Sequence, residues 1–207
     1  FIVEDTLIFV DDGFFRLVKR YFQEKTGKRL KFLQTFKNIS KKENFNLKHL
    51  FVYMAPPFQS REPTQDEKNR KSRYDSLKKM LDQKKWITVR EGRCQKILDK
   101  TGKPIFNQKG VDSWIVADLC LFKEDFPNIR TIILISSDSD FAPIIKLIKE
   151  KMNIDVVLYT YFENKRRSLF YRSNHLLNVC SRWVKLNESY FENSEELKEE
   201  SNATHRT

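Results

Sequence analysis

The sequence predicts an α/β fold with a mostly parallel central sheet and helices on both faces. Three observations carry this. Asp5–Val10 and Thr131–Ile135 are short, continuous apolar runs rich in branched side chains, the pattern of strands with no polar face to give to water. Leu47–Tyr53 is a third strand candidate and Ile154–Tyr161 a last core strand. These runs alternate with segments of helical spacing, the order that builds a parallel sheet through crossover helices.

In chain order, the first strand ends on Asp11-Asp12-Gly13, and Phe15, Val18 and Phe22 follow at helical spacing up to a Thr26-Gly27 stop. Residues 28 to 46 are basic and aromatic without a clear period and read as a short helix and a loop. The Leu47–Tyr53 strand halts at Pro56-Pro57, because adjacent prolines continue neither ladder nor helix. Residues 60 to 85 put Tyr74, Leu77 and Leu81 on one face of an amphipathic helix. Trp86–Arg90 reads as a short strand, and the segments around Asp99-Lys-Thr-Gly102 as a β-hairpin. Asp112 opens a helix carrying Ile115, Leu119 and Phe122. After Thr131–Ile135 and Ser136-Ser-Asp-Ser-Asp140, Phe141, Ile144, Ile145, Ile148 and Met152 form one helical stripe. His175–Leu186 closes the fold as a helix or a strand. Residues 1–187 read as one domain and 188–207 as an acidic, disordered tail.

Charge narrows the function. Lys and Arg number 39 against 28 Asp and Glu, a net charge of +11. From Glu188 onward six glutamates oppose only Lys198 and Arg206, so the body before them carries +15. An excess of that size points to a polyanionic partner, above all nucleic acid. No apolar run approaches a membrane span. Three cysteines without metal-ligand spacing suit a reducing, cytoplasmic setting, with Cys120 and Cys180 as buried free thiols. Oligomeric state and protein partners are left open.

The chemistry lies in the aspartates. In doubly wound sheets ligands bind beyond the carboxyl ends of the strands. Asp11 and the Asp138/Asp140 pair end core strands, and Asp112 starts the helix that leads back to the same edge. Each also has a plain reading as a helix cap or turn residue. Four gathered carboxylates repel one another and raise one another's pKa. A divalent cation removes that conflict, and oxygen donors without His or Cys suit Mg²⁺ or Mn²⁺ rather than zinc. A metal held by aspartates beside a basic surface is suited to phosphodiester hydrolysis. Receiver domains are excluded by Met54 at the acceptor position, and haloacid dehalogenase-type phosphatases by the adjacent Asp11-Asp12. A glycosyltransferase metal motif at Asp138-x-Asp140 leaves Asp11 and Asp112 unexplained.

Four blocks resemble the NYN domains, a branch of the PIN-like metal-dependent ribonucleases. They are Leu7-Ile-Phe-Val-Asp-Asp-Gly-Phe-Phe15, Tyr53-Met-Ala-Pro-Pro57, Gln108-Lys-Gly-Val-Asp112 with Asp118-Leu119, and Ser136-Ser-Asp-Ser-Asp-Phe141. The resemblance spans residues 7 to about 160. It implies a Rossmann-like PIN fold and a metal-dependent endoribonuclease acting on single-stranded or structured RNA. Asp11, Asp112, Asp138 and Asp140 would be its catalytic and metal-binding residues, with Asp118 a weaker ligand. Met54 stands where the family pattern has an acid and Ser137 where it has a glycine, which keeps an inactive RNA-binding or adaptor module as the alternative. Ser136, Ser139, Lys109, Lys165, Arg166, Arg167 and Arg172 are candidates for substrate contact, with Phe170 and Tyr171 available for stacking.

Overall fold

The computed structural model describes residues 3–164 and 168–192. Its framework is a six-stranded, wholly parallel sheet built on β1 (Glu4–Asp11), β2 (Phe45–Met54), β3 (Ile87–Glu91), β6 (Thr131–Ile135), β7 (Asp155–Thr160) and β8 (Arg182–Lys185). Across the sheet the order is β3-β2-β1-β6-β7-β8. β1 pairs with β2 on one side and β6 on the other, so strand order reverses there. β4 (Arg93–Leu98) and β5 (Pro104–Lys109) form a separate antiparallel pair.

Both faces are covered because β1 and β6 have no polar side. Ile8, Val10, Ile133 and Ile135 face α1 (Asp12–Thr26), α2 (Phe32–Glu43) and α3 (Gln65–Asp82). Leu7, Phe9, Ile132 and Leu134 face α4 (Val111–Asp125), α5 (Ala142–Met152) and α6 (Asn174–Val179). Alternate residues thus enter two different cores, as the period of two in a strand requires. The Thr26-Gly27 stop behaves as its sequence predicts: Gly27 sits at φ 67° and its N–H reaches the Gln23 carbonyl at 2.9 Å. α3 opens on a capping box between Thr64 and Glu67.

The structure corrects four expectations. Residues 28–46 hold the 12-residue α2, not a short helix and a loop. Its Phe32, Thr35, Phe36 and Ile39 are all buried, and the buried Thr35 masks the apolar period in the sequence. Residues 175–186 are not one element but α6 followed by β8. Cys120 is exposed, since it shares the outer side of α4 with Leu121 while Leu119 and Phe122 face inward. The acidic segment does not fray at its start. Tyr190 and Phe191 are buried, and Phe191 packs against Phe15 and Phe22. Residues 193–207, with Lys165, Arg166 and Arg167, lie outside the described residues.

Candidate active site

The carboxyl edge of the sheet, at the reversal between β1 and β6, collects the predicted aspartates. Asp11 ends β1 and caps α1, its Oδ1 accepting from the Phe14 N–H at 3.2 Å. Its Oδ2 accepts the Ser136 hydroxyl at 3.0 Å, from the residue just past β6. The Ser136 Oγ accepts the Asp138 N–H at 3.1 Å, and Asp138 Oδ1 accepts the Asp140 N–H at 2.9 Å. One chain of hydrogen bonds thus ties Asp11 to the Asp138/Asp140 turn. Asp138 caps the 3₁₀ turn Ser139–Phe141 that leads into α5, so capping and site geometry coexist in one residue.

Asp112 comes to the edge from another direction, in the first turn of α4 after Gly110 at φ 81°. Its proximity shows in the electrostatics. Burial pushes the Asp11 carboxyl up to about 6, against the Phe14 and Ser136 hydrogen bonds, and the Asp112 and Asp138 charges push the same way. Asp11 is half-buried as a residue, but its carboxylate is the desolvated part. The Asp112 carboxyl is raised by burial and then by Asp138 and Asp140, while Lys109 opposes. All four predicted aspartates therefore share one field.

The donor chemistry fits a hard cation, with oxygen ligands whose mutual repulsion a divalent ion would relieve. The edge is nevertheless open: among the described residues no three His, Cys, Asp or Glu side chains form a ready-made metal cluster.

Other candidates separate. Asp118 is engaged elsewhere: its Oδ2 accepts from Tyr53 Oη at 3.0 Å and Arg90 Nε at 3.1 Å, and its Oδ1 from the Arg90 guanidinium at 3.0 Å. Arg90 lies in turn over the Trp114 ring, 5.0 Å from its centroid. Ser136 is fully buried, so it positions two acids and does not meet a substrate directly. Ser139, Lys109 and Arg172 are exposed, with Arg172 over the Phe162 ring at 5.2 Å. Tyr171 is exposed and free to stack, but Phe170 is buried against Tyr21 and Tyr161. Met54 is wholly buried on the α1–α3 side, so the position where the family pattern has an acid is here part of the core.

Asp12 is the residue that sequence reasoning passed over. It is 2% exposed, its Oδ2 pairs with Arg16 Nε at 2.6 Å, and its buried Oδ1 has no hydrogen-bond partner among the described residues. Burial, with Asp11 adding to it, pushes its carboxyl up to about 6 against the pull of Arg16. The signal was the Asp12…Arg16 spacing of four residues on a helix.

Gly92 sets the approach of α4. A Cβ there would lie 2.5 Å from the Lys109 carbonyl oxygen and 2.7 Å from Val111 Cγ2. Gly92→Ala is expected to push the start of α4, with Asp112, away from the edge, at a cost of roughly 1–3 kcal/mol. Thermal melts check this: the melting temperature should fall.

Residues 21–187 match the NYN domain family. The chain belongs to that family. The matched region begins within α1, so β1 and Asp11 precede it and rest on the structure and on their own motif. NYN domains fall in the PIN-like nuclease superfamily, whose members act on nucleic acid and generally use divalent metals. Among solved structures, a protein of unknown function from Vibrio parahaemolyticus is similar at 17% identity and a TM-score of 0.53, over 92% of this chain and 97% of that one. That likeness shows the fold. Comparison with curated proteins finds no match. No helix among the described residues of this NYN domain is long and apolar enough to cross a membrane.

Proposed function

We propose that this NYN domain is a metal-dependent endoribonuclease, with Asp11, Asp112, Asp138 and Asp140 holding Mg²⁺ or Mn²⁺ at the carboxyl edge. The observation that carries the reading is the hydrogen-bonded run Asp11–Ser136–Asp138–Asp140 at the carboxyl edge, with Asp112 near enough to act on the Asp11 carboxyl. When bound, the cation supplies a water of lowered pKa and neutralises charge on the scissile phosphate. The chain's own residues orient the reaction. Ser136 and the Phe14 amide fix the Asp11 carboxylate, and Asp140's N–H fixes Asp138. Asp112 brings its carboxylate to the same edge from the first turn of α4, where it is exposed. Lys109 and Ser139 stand exposed near these acids to meet the phosphate, and Arg172 and Tyr171 to hold the strand. Lys165, Arg166 and Arg167 extend that basic run in sequence.

The test is cleavage of single-stranded and structured RNAs with Mg²⁺ or Mn²⁺, with EDTA as the control. Asp138→Asn should lower the rate by at least about a hundredfold, since even outer-shell changes at metal sites cost 10–100-fold. Unchanged cleavage in Asp138→Asn, or equal cleavage in EDTA, would refute the reading. A second reading, an inactive RNA-binding or adaptor module, is favoured by the open acidic edge and the core position of Met54. It predicts salt-sensitive RNA binding with no cleavage and no metal-induced rise in melting temperature.

A further inference from the structure

We propose that the cleft between α1 and α3 is a phosphate subsite, in which Arg16, Lys19, Arg70 and Arg73 hold a phosphate of the nucleic-acid strand beside the acidic edge. The proposal rests on the nucleic-acid reading above and adds a place on the protein that the aspartate motifs do not include. The cleft has a volume of about 420 Å³, and its lining contains these four cations and no acid. Phe32 and Leu77 give it an apolar floor. That size and make-up suit one nucleotide, with the sugar or base on the floor and the phosphate on the rim.

The arrangement follows from helix periodicity. Arg16 and Lys19 are three residues apart on α1, and so are Arg70 and Arg73 on α3. Each pair shares a helix face, and the two faces look across one cleft. Like charges facing each other cost free energy unless an anion sits between them. Asp12 pairs with Arg16 and acts at longer range on Lys19, and Glu67 acts on Arg70, which leaves the four cations in excess. Among the described residues Lys19, Arg70 and Arg73 form no ion pair. The Lys19 ammonium is held below its usual range by burial and then by Arg16 and Arg29, in spite of Asp12, so a bound anion would relieve it. Planar guanidinium forks match the paired oxygens of a phosphate or a carboxylate better than a simple halide, and four cations in one cleft on a nucleic-acid-directed domain single out the phosphate.

The cleft opens at the right place. Pro57, in the loop leaving the carboxyl end of β2, lines it. Arg16 reaches back to Asp12, the residue that follows Asp11 at the end of β1. A strand crossing the aspartates at the β1–β6 reversal would therefore have a neighbouring phosphate within this basic wall.

The test uses the full chain and a short fluorescein-labelled single-stranded RNA in EDTA, where metal-dependent cleavage is off. Arg70→Glu with Arg73→Glu should weaken binding at least about tenfold and flatten the dependence of log K on log salt by about one to two phosphates. Lys37→Glu with Lys41→Glu makes the same charge change on α2, toward the amino end of β2, and should weaken binding less than about threefold. Circular dichroism melts confirm that both variants fold. Equal losses in the two variants, or wild-type binding in the first, overturn the subsite. RNA with a 5′-phosphate is compared with the same RNA bearing a 5′-hydroxyl. If the cleft takes the strand end, removing that phosphate reproduces the loss in the Arg70/Arg73 variant. If it takes an internal diester, both RNAs bind the wild type alike and both lose affinity in the variant. Poly-glutamate displacing the RNA better than an equally charged polyphosphate would overturn the phosphate assignment. Cleavage is measured separately with Mn²⁺. No cleavage together with Arg70/Arg73-dependent binding defeats the nuclease reading and leaves the subsite standing, and cleavage with no such dependence does the reverse.

Discussion

Asp11→Asn is expected to abolish metal-dependent cleavage and yet to raise the melting temperature of the metal-free protein at pH 7.5. The two effects have one cause. The Asp11 carboxyl is raised from 3.8 to about 6 by burial, so at pH 7.5 the fold carries a desolvated charge beside Asp112 and Asp138. A carboxyl whose folded pKa is raised binds its proton more tightly in the folded state. Stability therefore falls as pH climbs from 3.8 toward about 6, and the loss is complete above that. A shift of this size corresponds to about 2–3 kcal/mol, or roughly 5 °C or more for a chain of this length. Asn keeps the acceptor for the Phe14 N–H, while its NH2 replaces the oxygen that took the Ser136 hydroxyl and donates to Ser136 Oγ instead. It removes the charge, and it also relieves Asp12, whose carboxyl Asp11 helps to raise. Melts of wild type and variant in EDTA between pH 4 and pH 8 check this. The gap between them should open as pH rises, and a variant less stable than wild type at pH 7.5 would sink the account. Adding Mn²⁺ should stabilise the wild type by mass action and leave Asp11→Asn unmoved.

Arg90→Ala should produce the largest loss of stability at this end of the sheet without direct contact with the four edge aspartates. Asp118 is 7% exposed, and three of its hydrogen bonds come from Arg90 and Tyr53. Removing Arg90 leaves a buried charge with one phenolic partner, which costs about 3 kcal/mol. Urea midpoints at unchanged slope measure it. Arg90→Ala with Asp118→Leu should recover most of the loss, because the stranded charge goes with its partner. Asp118→Asn should leave the metal dependence of cleavage as it is. A shifted Mn²⁺ requirement in that variant would return Asp118 to the set of ligands.

What was legible in the sequence depended on how far apart the cooperating residues lie. β1 and β6 announce themselves as uninterrupted apolar runs, and the acids that end them stand next to those runs, so the Asp11 and Asp138/Asp140 placements follow from local pattern. Gly27 was readable because one residue type answers one backbone need. α2 was obscured by lysines and by a buried threonine that breaks its stripe. The β8 strand has only four residues, too few for either period to declare itself. The Arg90–Asp118 pair joins a strand to a helix 28 positions on, and nothing in either neighbourhood names the other. The α1–α3 cleft was hidden for the same reason. Its two arginine-bearing faces belong to separate helices, each of which alone looks like a solvated surface.

The hydrogen bond between Asp11 and Ser136 spans 125 positions of sequence, and it sits on the single ladder that joins the first half of the sheet to the second. Closing that ladder requires the chain to return after building β2, β3 and the hairpin, a late and entropically costly step. During synthesis, then, a ribosome-bound fragment ending before β6 would display Asp11 with no Ser136 to orient it and no Asp138 to share its field. The acidic edge comes into being only when the two halves meet. The proposed site therefore cannot assemble on a nascent chain until β6 and the Ser136–Asp140 turn have emerged.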